Sequence, residues 1–271
     1  MGRMNLGIDD TIIFKEDTHQ YFDKAGIEYS SVTRTLGKLK VPFDRDGISK
    51  MMARSMAKEK GITVDQAQAM ILSEWDAKRD SSIDRGNSIH GSIEHYLITG
   101  RKDPDYRNAL DFVSDLVKPY YRYYPEIILY NQDYFVAGQA DLVCQRQKSE
   151  ASVYDFYDYK TNEAKGIQFD SIGRKNDEIK HYNRYFLPPL DFMEDCNYNL
   201  YSLQLSMYAF FAEMTYGIKV GRLGIIFIGN DMEVHMIPVP YLRYHVQRAL
   251  EFRVEVKPLP EKQIVKSEDD W

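Results

Sequence analysis

The sequence has only two cysteines, Cys144 and Cys196, among its 271 residues. So few thiols argue against a disulfide framework, and they cannot supply the four thiolates of a typical iron–sulfur cluster. No basic and apolar leader opens the sequence, and no apolar run approaches the roughly 20 residues that span a bilayer. We therefore expect a cytoplasmic protein with no iron–sulfur cluster and no contact with a membrane.

An excess of positive charge is lacking too, because 35 basic residues stand against 41 acidic residues. A strongly basic balance would indicate a nucleic-acid partner, and this balance does not. Residues 34–60 are a local exception, and their basic side chains could follow a phosphate backbone. A solvated helix face explains the same cluster equally well. The basic residues of this cluster are Arg34, Lys38, Lys40, Arg45, Lys50, Arg54, Lys58 and Lys60.

Internal repeats, low-complexity tracts and linkers rich in Gly, Pro and Ser are also missing from the sequence. The chain is 44% hydrophobic and 28% charged, which is typical of a globular protein. We therefore predict one core with an N-terminal elaboration. Residues 1–80 are assigned to the elaboration, residues 81–255 to the core and residues 256–271 to a charged tail.

Hydrophobic periodicity and turn residues predict a mixed order of strands and helices. Thr63 and Gln66 form a capping-box pattern, Gly217 suits a helix C-cap, and residues 162–197 are expected to be irregular. Helices on both sides of a central mixed β-sheet would make this an α/β fold. The predicted strands cover residues 12–14, 20–22, 28–32, 126–130, 134–136, 139–145, 153–160, 222–228 and 233–239, with a break at 138, and the predicted helices cover residues 47–60, 64–79, 84–98, 105–122, 198–216 and 241–254.

Two acids and a lysine lie on neighbouring predicted strands. Asp158 and Lys160 share one face of their strand, because alternate strand residues point the same way. That strand is otherwise aromatic and apolar, and buried charges are costly unless they are paired or bound to a metal ion. If Asp141 lies on a paired strand, the two carboxylates converge and offer oxygen ligands of the kind that Mg²⁺ and Mn²⁺ prefer. An ordinary ion pair and a turn-capping acid are the alternatives.

Two further pairs of residues lie on predicted helices. The two residues of each pair are four positions apart and therefore share a helix face. They are His90 with Glu94, and Gln204 with Tyr208. Taken alone, each pair is most simply a set of helix-surface residues without a task. The spacing of His90, Glu94 and His95 matches neither H-E-x-x-H nor H-x-x-E-H, so we reject a zinc-protease site.

The order of four short motifs is more specific than any one of them. The motifs are R-G-x-x-I-H-x-x-I-E at residues 85–94, G-x-A-D at 138–141, D-Y-K-T at 158–161 and Q-x-x-x-Y at 204–208. In this order they resemble the RecB-like branch of the PD-(D/E)XK nuclease superfamily, and the stand-alone phage and bacterial exonucleases within it. The similarity covers residues 80–240. The segment Y-S-S-V-T at residues 29–33 is a weaker match to a serine-bearing strand near the substrate phosphate.

The resemblance implies a restriction-endonuclease-like core and a nuclease that uses one or two Mg²⁺ or Mn²⁺ ions. Asp158 stands where many relatives carry glutamate, a variation that the superfamily's name allows. By the resemblance, the metal ligands are His90, Asp141, Asp158 and the carbonyl of Tyr159, and the catalytic residues are Asp141, Asp158, Lys160 and Glu94. By the same resemblance, Gln204 and Tyr208 bind the substrate. Arg85, from the first motif, and Ser31 and Thr33, from the weaker match at residues 29–33, are further candidates for substrate binding.

The activity that the resemblance implies is hydrolysis of phosphodiester bonds at single- or double-stranded DNA ends, leaving 5′-phosphates. An exonuclease of recombination, repair or phage replication fits this, either as a homo-oligomer or with a recombination partner protein. The alternatives are a catalytically inactive DNA-binding protein and a structure-selective endonuclease of the same fold. A carboxylate-pair hydrolase such as a glycosidase is a further rival, but it leaves Lys160 and His90 unexplained.

Overall fold

The structure is a computed structural model that describes residues 9–149, 151–161, 167, 172–175, 178–181 and 184–256. For residues 172–175, 178–181 and 254–256 it describes the backbone alone. The strands are β1 (Ile12–Lys15), β2 (Gln20–Asp23), β3 (Glu28–Ser31), β4 (Arg122–Asn131), β5 (Val136–Gln145), β6 (Val153–Lys160), β7 (Ile172–Lys175), β8 (Glu178–His181), β9 (Lys219–Ile228) and β10 (Val234–Val239). The α-helices are α1 (Val32–Gly37), α2 (Arg45–Lys60), α3 (Val64–Thr99), α4 (Arg107–Val117), α5 (Asn197–Tyr216) and α6 (Arg243–Val256).

Eight strands form one mixed sheet, so the expected α/β fold with helices around a mixed sheet is confirmed. The strands run in the order β1-β2-β3-β5-β6-β9-β10, and β4 also pairs with β5. The pairs β3 with β5 and β6 with β9 are parallel, whereas the pairs β4 with β5 and β5 with β6 are antiparallel. The predicted hairpin of β9 and β10 is confirmed as well.

The helices cover both faces of this sheet. α5 packs on one face together with α1 and α6, and its residues Leu203, Met207 and Phe211 are fully buried there. On the other face, apolar residues of α3 and α4, among them Ile93 and Val113, pack on the sheet. Because strand residues alternate between the faces, Phe156 belongs to the α5 side, and Asp158 and Lys160 share that side with it. Two apolar cores therefore enclose the middle strands.

α3 is one helix of 36 residues, so the two helices predicted at 64–79 and 84–98 were wrong as separate elements. The predicted capping box at Thr63 and Gln66 is confirmed, and the helix ends at Gly100 in the left-handed conformation. The residues between the two predicted helices contain no proline, and a few residues of modest helix propensity cost too little to break a packed helix. α3 passes through residue 80, so the predicted elaboration and core share it; that division stays a prediction.

Other predicted boundaries differ from the structure in instructive ways. The break expected at Gly138 is absent, because β5 runs through it, and the helix predicted at 105–122 is a short 3₁₀ turn followed by α4. Part of the segment 162–197, predicted to be irregular, is the hairpin of β7 and β8. Residues 184–196 have no helix and only the single β-bridge between Tyr185 and Glu194, as expected, and residues 162–166, 168–171, 176–177 and 182–183 lie outside the described residues. The helix C-cap predicted at Gly217 is confirmed. Within the described residues, no helix is both long and apolar enough to cross a bilayer.

Candidate metal centre

The candidate site lies where β5 exchanges one partner strand for another. β4 pairs with β5 along its whole length and so occupies one edge. β3 pairs with Val136 and Ala137 on the opposite edge, and β6 pairs with Leu142 onward. The stretch from Gly138 to Asp141 therefore faces a fork between β3 and β6. A fork of this kind leaves room for side chains and backbone groups to point into a shared space.

Asp141 and His90 lie next to each other at this fork, and both contact the backbone of Tyr159. The Asp141 carboxylate accepts a hydrogen bond of 2.6 Å from the backbone N–H of Tyr159, which joins β5 to the end of β6. His90, from α3, has Nε2 at 3.2 Å from the Tyr159 carbonyl, where it can donate a hydrogen bond. Its Nδ1 then carries a lone pair and lies 3.7 Å from the Asp141 carboxylate. Asp141, His90 and the carbonyl of Tyr159, three of the predicted ligands, thus lie together.

Glu126 also belongs to this site, and the sequence interpretation missed it. One ligand atom each from His90, Glu126 and Asp141 lies within 4.8 Å of the others, so these residues could hold a metal ion. Glu126 has a φ of 48°, a left-handed conformation that is rare for a side chain other than glycine, and Gln139 Nε2 donates to its carbonyl at 3.1 Å. Burial, and then the charges of Asp141, Glu94 and Asp158, raise the pKa of Glu126 to about 9.

Asp158 and Lys160 form a buried ion pair beside this group. Lys160 Nζ lies 2.5 Å from the Asp158 carboxylate and 4.8 Å from the ring centre of Tyr201 on α5. Apart from this pair, the Asp158 oxygens accept no hydrogen bond from the described residues. Burial raises the pKa of Asp158, and Lys160 opposes that shift. Burial lowers the pKa of Lys160, but the charges of Asp158 and Asp141 outweigh it and raise that pKa above its ordinary value.

A cavity of about 730 Å³ opens on the fork. Gly138 forms part of its lining, and a Cβ there would lie 2.9 Å from both the Tyr208 ring and the Val32 side chain, which explains why glycine occupies the G-x-A-D motif. Ser31 is both the last residue of β3 and the N-cap of α1, and Thr33 lies within that helix, so the strand predicted at residues 28–32 ends one residue early. The lining includes the predicted residues Glu94, Gln204, Tyr208, Ser31 and Thr33, together with His90 and Asp141.

Arg85 stands apart from these residues. Its guanidinium donates to the carbonyls of Thr161 at 2.8 Å and Gly229 at 2.6 Å, and Arg85 does not line the cavity. It therefore ties α3 to the end of β6 and to the β9–β10 turn. Substrate contact by Arg85 has no support in this arrangement and stays a prediction.

The basic cluster of residues 34–60 is only partly available to a ligand. Arg34 pairs with Glu28, Lys40 with Asp195 and Arg45 with Asp76. Lys38 is exposed at the end of α1, and the other exposed members lie on α2, which packs on the first half of α3 through a small cluster of alanines and isoleucine. The α2 residues are Lys50, Arg54, Lys58 and Lys60. Most of the exposed positive charge of this cluster is thus on α2.

The donor set fits a hard divalent cation. Carboxylate and carbonyl oxygens suit Mg²⁺ and Mn²⁺, and one imidazole favours Mn²⁺ over Mg²⁺. Burial first, and then repulsion among the acids gathered at this site, raise the pKa of Glu126. Asp158, a predicted ligand, belongs neither to the three-residue group nor to the cavity lining, but its buried carboxylate has only Lys160 as a partner and lies near enough for the charges of Asp141 and His90 to act on it. A bound cation would offset the repulsion among the acids and would give the Asp158 carboxylate a second partner.

Divalent cations are therefore expected to stabilise the fold. Saturating Mn²⁺ should raise the melting temperature by about 5–10 °C, since a ligand at 100 times its Kd adds about 2.7 kcal/mol to the free energy of unfolding. Differential scanning fluorimetry with and without EDTA measures this. Glu126→Gln and Asp141→Asn should each lose most of the rise, while Glu16→Gln, a cavity acid outside the three-residue group, should keep it. An equal rise in all three variants would contradict the site.

Comparisons with known proteins give little beyond the fold. No protein-family model matches the sequence, and no curated protein matches it either. Among solved structures, a protein named SSO0001 matches with a TM-score of 0.33 and 14% identity, over 85% of this chain and 76% of that chain. A protein from Eubacterium rectale named "Putative exonuclease" matches with a TM-score of 0.34 and 14% identity, over 84% and 78%. At such low scores, neither bears on the function of this chain.

Proposed function

We propose that this protein is a metal-dependent deoxyribonuclease of the PD-(D/E)XK type, and that it acts as an exonuclease leaving 5′-phosphates. The observation that supports this best is the convergence of His90, Glu126 and Asp141 at one fork, with the ion pair of Asp158 and Lys160 at the adjoining end of β6. The ordered motifs contain His90, Asp141, Asp158 and Lys160, whereas Glu126 lies outside them. A glycosidase needs only a carboxylate pair and would use neither the lysine nor the imidazole.

His90, Glu126, Asp141, Asp158 and the Tyr159 carbonyl are the groups that would hold the metal ion. When bound, Mg²⁺ or Mn²⁺ supplies a water of lowered pKa and a positive charge next to the phosphate. The chain's own residues perform the remaining tasks, which are positioning of the metal ligands, stabilisation of charge and binding of the strand.

Positioning begins with the hydrogen bond from the Tyr159 N–H to Asp141, which fixes the carboxylate relative to β6. The hydrogen bond from His90 Nε2 to the Tyr159 carbonyl selects the tautomer that presents Nδ1. Lys160 has three N–H donors and no acceptor, so it can orient the attacking water or stabilise the negative charge that develops on the phosphate oxygens. Its contact with Asp158 holds it beside the ligands.

Gln204 and Tyr208 would hold the substrate strand from the α5 side of the cavity. Gln204 Nε2 lies 3.4 Å from the Tyr208 hydroxyl, and both residues line the cavity. Glu94 lies one helical turn from His90 on α3 and adds an acid to the same wall. Ser31 is the N-cap of α1 and Thr33 lies in its first turn, so their hydroxyls are suited to a phosphate or a sugar oxygen at the opposite wall.

Cleavage of end-labelled linear DNA tests this proposal directly. Single-stranded and double-stranded substrates, with covalently closed circles in parallel, are incubated with Mg²⁺, Mn²⁺ or EDTA. We expect metal-dependent loss of linear DNA with the circles spared, and products that ligase joins without prior phosphorylation. Cleavage of circles would instead indicate an endonuclease. Binding without cleavage under any metal would overturn the enzymatic proposal in favour of a DNA-binding protein.

A further inference from the structure

The hairpin of β1 and β2 forms an aromatic wall of the same cavity. Phe14, His19 and Tyr21 all line it. The Phe14 and Tyr21 rings are stacked with their centres 4.8 Å apart and their planes at 28°, and His19 meets Phe14 edge-on at 5.1 Å. None of the four ordered motifs includes these residues.

The wall is held firmly to the metal centre. Phe14 and Tyr21 are directly opposite each other in the β1–β2 pairing, which fixes the stack from the backbone. Tyr21 is 2% exposed and shares a hydrogen bond with the backbone of Gln139, two residues before Asp141. Phe14 is half-buried and His19 is exposed at the tip of the hairpin, so a ligand in the cavity can reach both rings.

His19 also has an unusual backbone. Its φ of 52° lies in the left-handed region, where residues other than glycine are uncommon. The conformation places the imidazole against Phe14, toward the cavity rather than away from it. Histidine is one of the residues that adopt this conformation more readily, and His19 does so at the end of the turn between β1 and β2.

The charge of the cavity determines what this wall can bind. Four of the lining residues are acids, namely Glu16, Glu94, Glu126 and Asp141, and among the described lining residues none is lysine or arginine. Apart from a bound metal ion, the lining therefore offers no positive charge to an anionic chain, and basic side chains of the wall cannot provide the affinity. A neutral, flat ligand group can be bound here by stacking, which does not depend on charge.

We infer that Phe14 and His19 form a stacking subsite for an unpaired nucleobase next to the phosphodiester that is cleaved. This inference rests on the proposed nuclease function and extends it to the substrate class, a strand that is single-stranded at the site. A paired base inside a duplex presents only its edge, because its faces are covered by the bases above and below it. An unpaired base can insert its face against Phe14.

The test uses a Lys160→Ala background, so that binding is measured without cleavage, with Mn²⁺ present. Single-stranded oligonucleotides carry 2-aminopurine or an abasic site at successive positions near the end. Phe14→Ala should weaken binding by about 5- to 100-fold, the range for loss of one base–aromatic stack, and should remove the quenching of one 2-aminopurine. Phe14→Trp should restore both, and His19→Ala should weaken binding in the same direction.

Phe22→Ala is the matched control, because Phe22 lies on the same hairpin under Lys15 and does not line the cavity. It should change neither binding nor quenching. Unchanged Mn²⁺-dependent stabilisation in Phe14→Ala shows that the fold and the metal centre persist. With an abasic site at the stacked position, the Phe14→Ala variant should bind as tightly as the protein with Phe14 intact. A remaining difference in binding overturns the subsite.

The failures of the two proposals are distinguishable. If an enzyme with Lys160 intact cleaves DNA and Phe14→Ala binds and cleaves as well as it does, the subsite is wrong and the nuclease stands. If DNA binds with one quenched base but is never cleaved, the enzymatic proposal is wrong and the subsite stands. If double-stranded DNA is cleaved but single-stranded DNA does not bind under any metal, the subsite is wrong and the nuclease stands. If neither form of DNA binds under any metal, both are wrong.

Discussion

Replacing Lys160 with alanine is expected to lower the rate of DNA cleavage by about 100- to 1,000-fold, the usual loss when one preorganised charge-stabilising donor is removed. The structure explains the size of this effect. Lys160 reaches the carboxylates through a buried ion pair with Asp158, and its ammonium packs over the Tyr201 ring, so water cannot take its place without cost. Single-turnover kinetics with saturating enzyme isolate the chemical step.

The control variants for this experiment are Lys160→Arg and Lys148→Ala. Arginine keeps the charge but not the compact geometry, so its rate should lie between those of wild type and alanine. Lys148 is an exposed lysine near Tyr121, and its loss should leave the rate unchanged. Because Lys160→Ala leaves Asp158 buried without its partner, circular dichroism and thermal melting must show that the variant is folded. A folded Lys160→Ala variant with wild-type rates would contradict the assignment.

Replacing Asp155 with alanine should lower the free energy of unfolding by about 1.5–3 kcal/mol, the usual cost of losing hydrogen bonds to a charged group, because the arginines left behind are exposed to water. Asp155 is fully buried on β6 and accepts hydrogen bonds from Arg146 at 2.8 Å, the Tyr120 hydroxyl at 2.6 Å and the backbone N–H of Arg222 at 2.7 Å. A Cβ at position 221 would lie 2.2 Å from this carboxylate, so Gly221 permits β9 to approach it. Urea unfolding measures the effect.

The pH dependence of this effect has a definite sign. Burial would raise the pKa of Asp155, but hydrogen bonds from Arg146 and Tyr120 outweigh it and hold that pKa below the ordinary 3.8. The stabilisation is therefore complete above about pH 5 and is lost as the pH falls below 3.8 through the folded pKa. The wild type and Asp155→Ala should converge in stability in acid. The exposed Asp191→Asn should match the wild type throughout, and equal stability of Asp155→Ala at neutral pH would refute the network.

Much of the centre could be predicted because it depends on local rules. The pairing of the predicted strands 139–145 and 153–160 is confirmed in the structure, and alternation along a strand places Asp158 and Lys160 together. One turn of helix places Glu94 beside His90 on the cavity wall. The roles of these residues in catalysis stay predictions.

The parts that were missed depend on distant segments of the chain. Glu126 reaches the site because β4 lies against β5 and because its own φ is positive, and neither is visible in a local pattern. An acid heading the apolar run of residues 127–129 was the one available signal. Arg85 sits inside a motif, yet its partners are the carbonyls of Thr161 and Gly229, far along the chain. Phe14 and His19 likewise join the cavity only through the order of the strands.

α3 is one continuous helix that joins the region packed against α2 to His90. At 1.5 Å per residue its 36 residues span about 54 Å, and Gly86, one of its two glycines, lies one turn before His90. Glycine is the residue at which a helix bends most easily. The first turn of α3 lies about 33 Å from Gly86, so a bend of about 5° there displaces it by roughly 3 Å. A bend of α3 at Gly86 would therefore move its first turn several times as far as it moves the imidazole of His90, which lies only four residues, or about 6 Å along the helix, from Gly86.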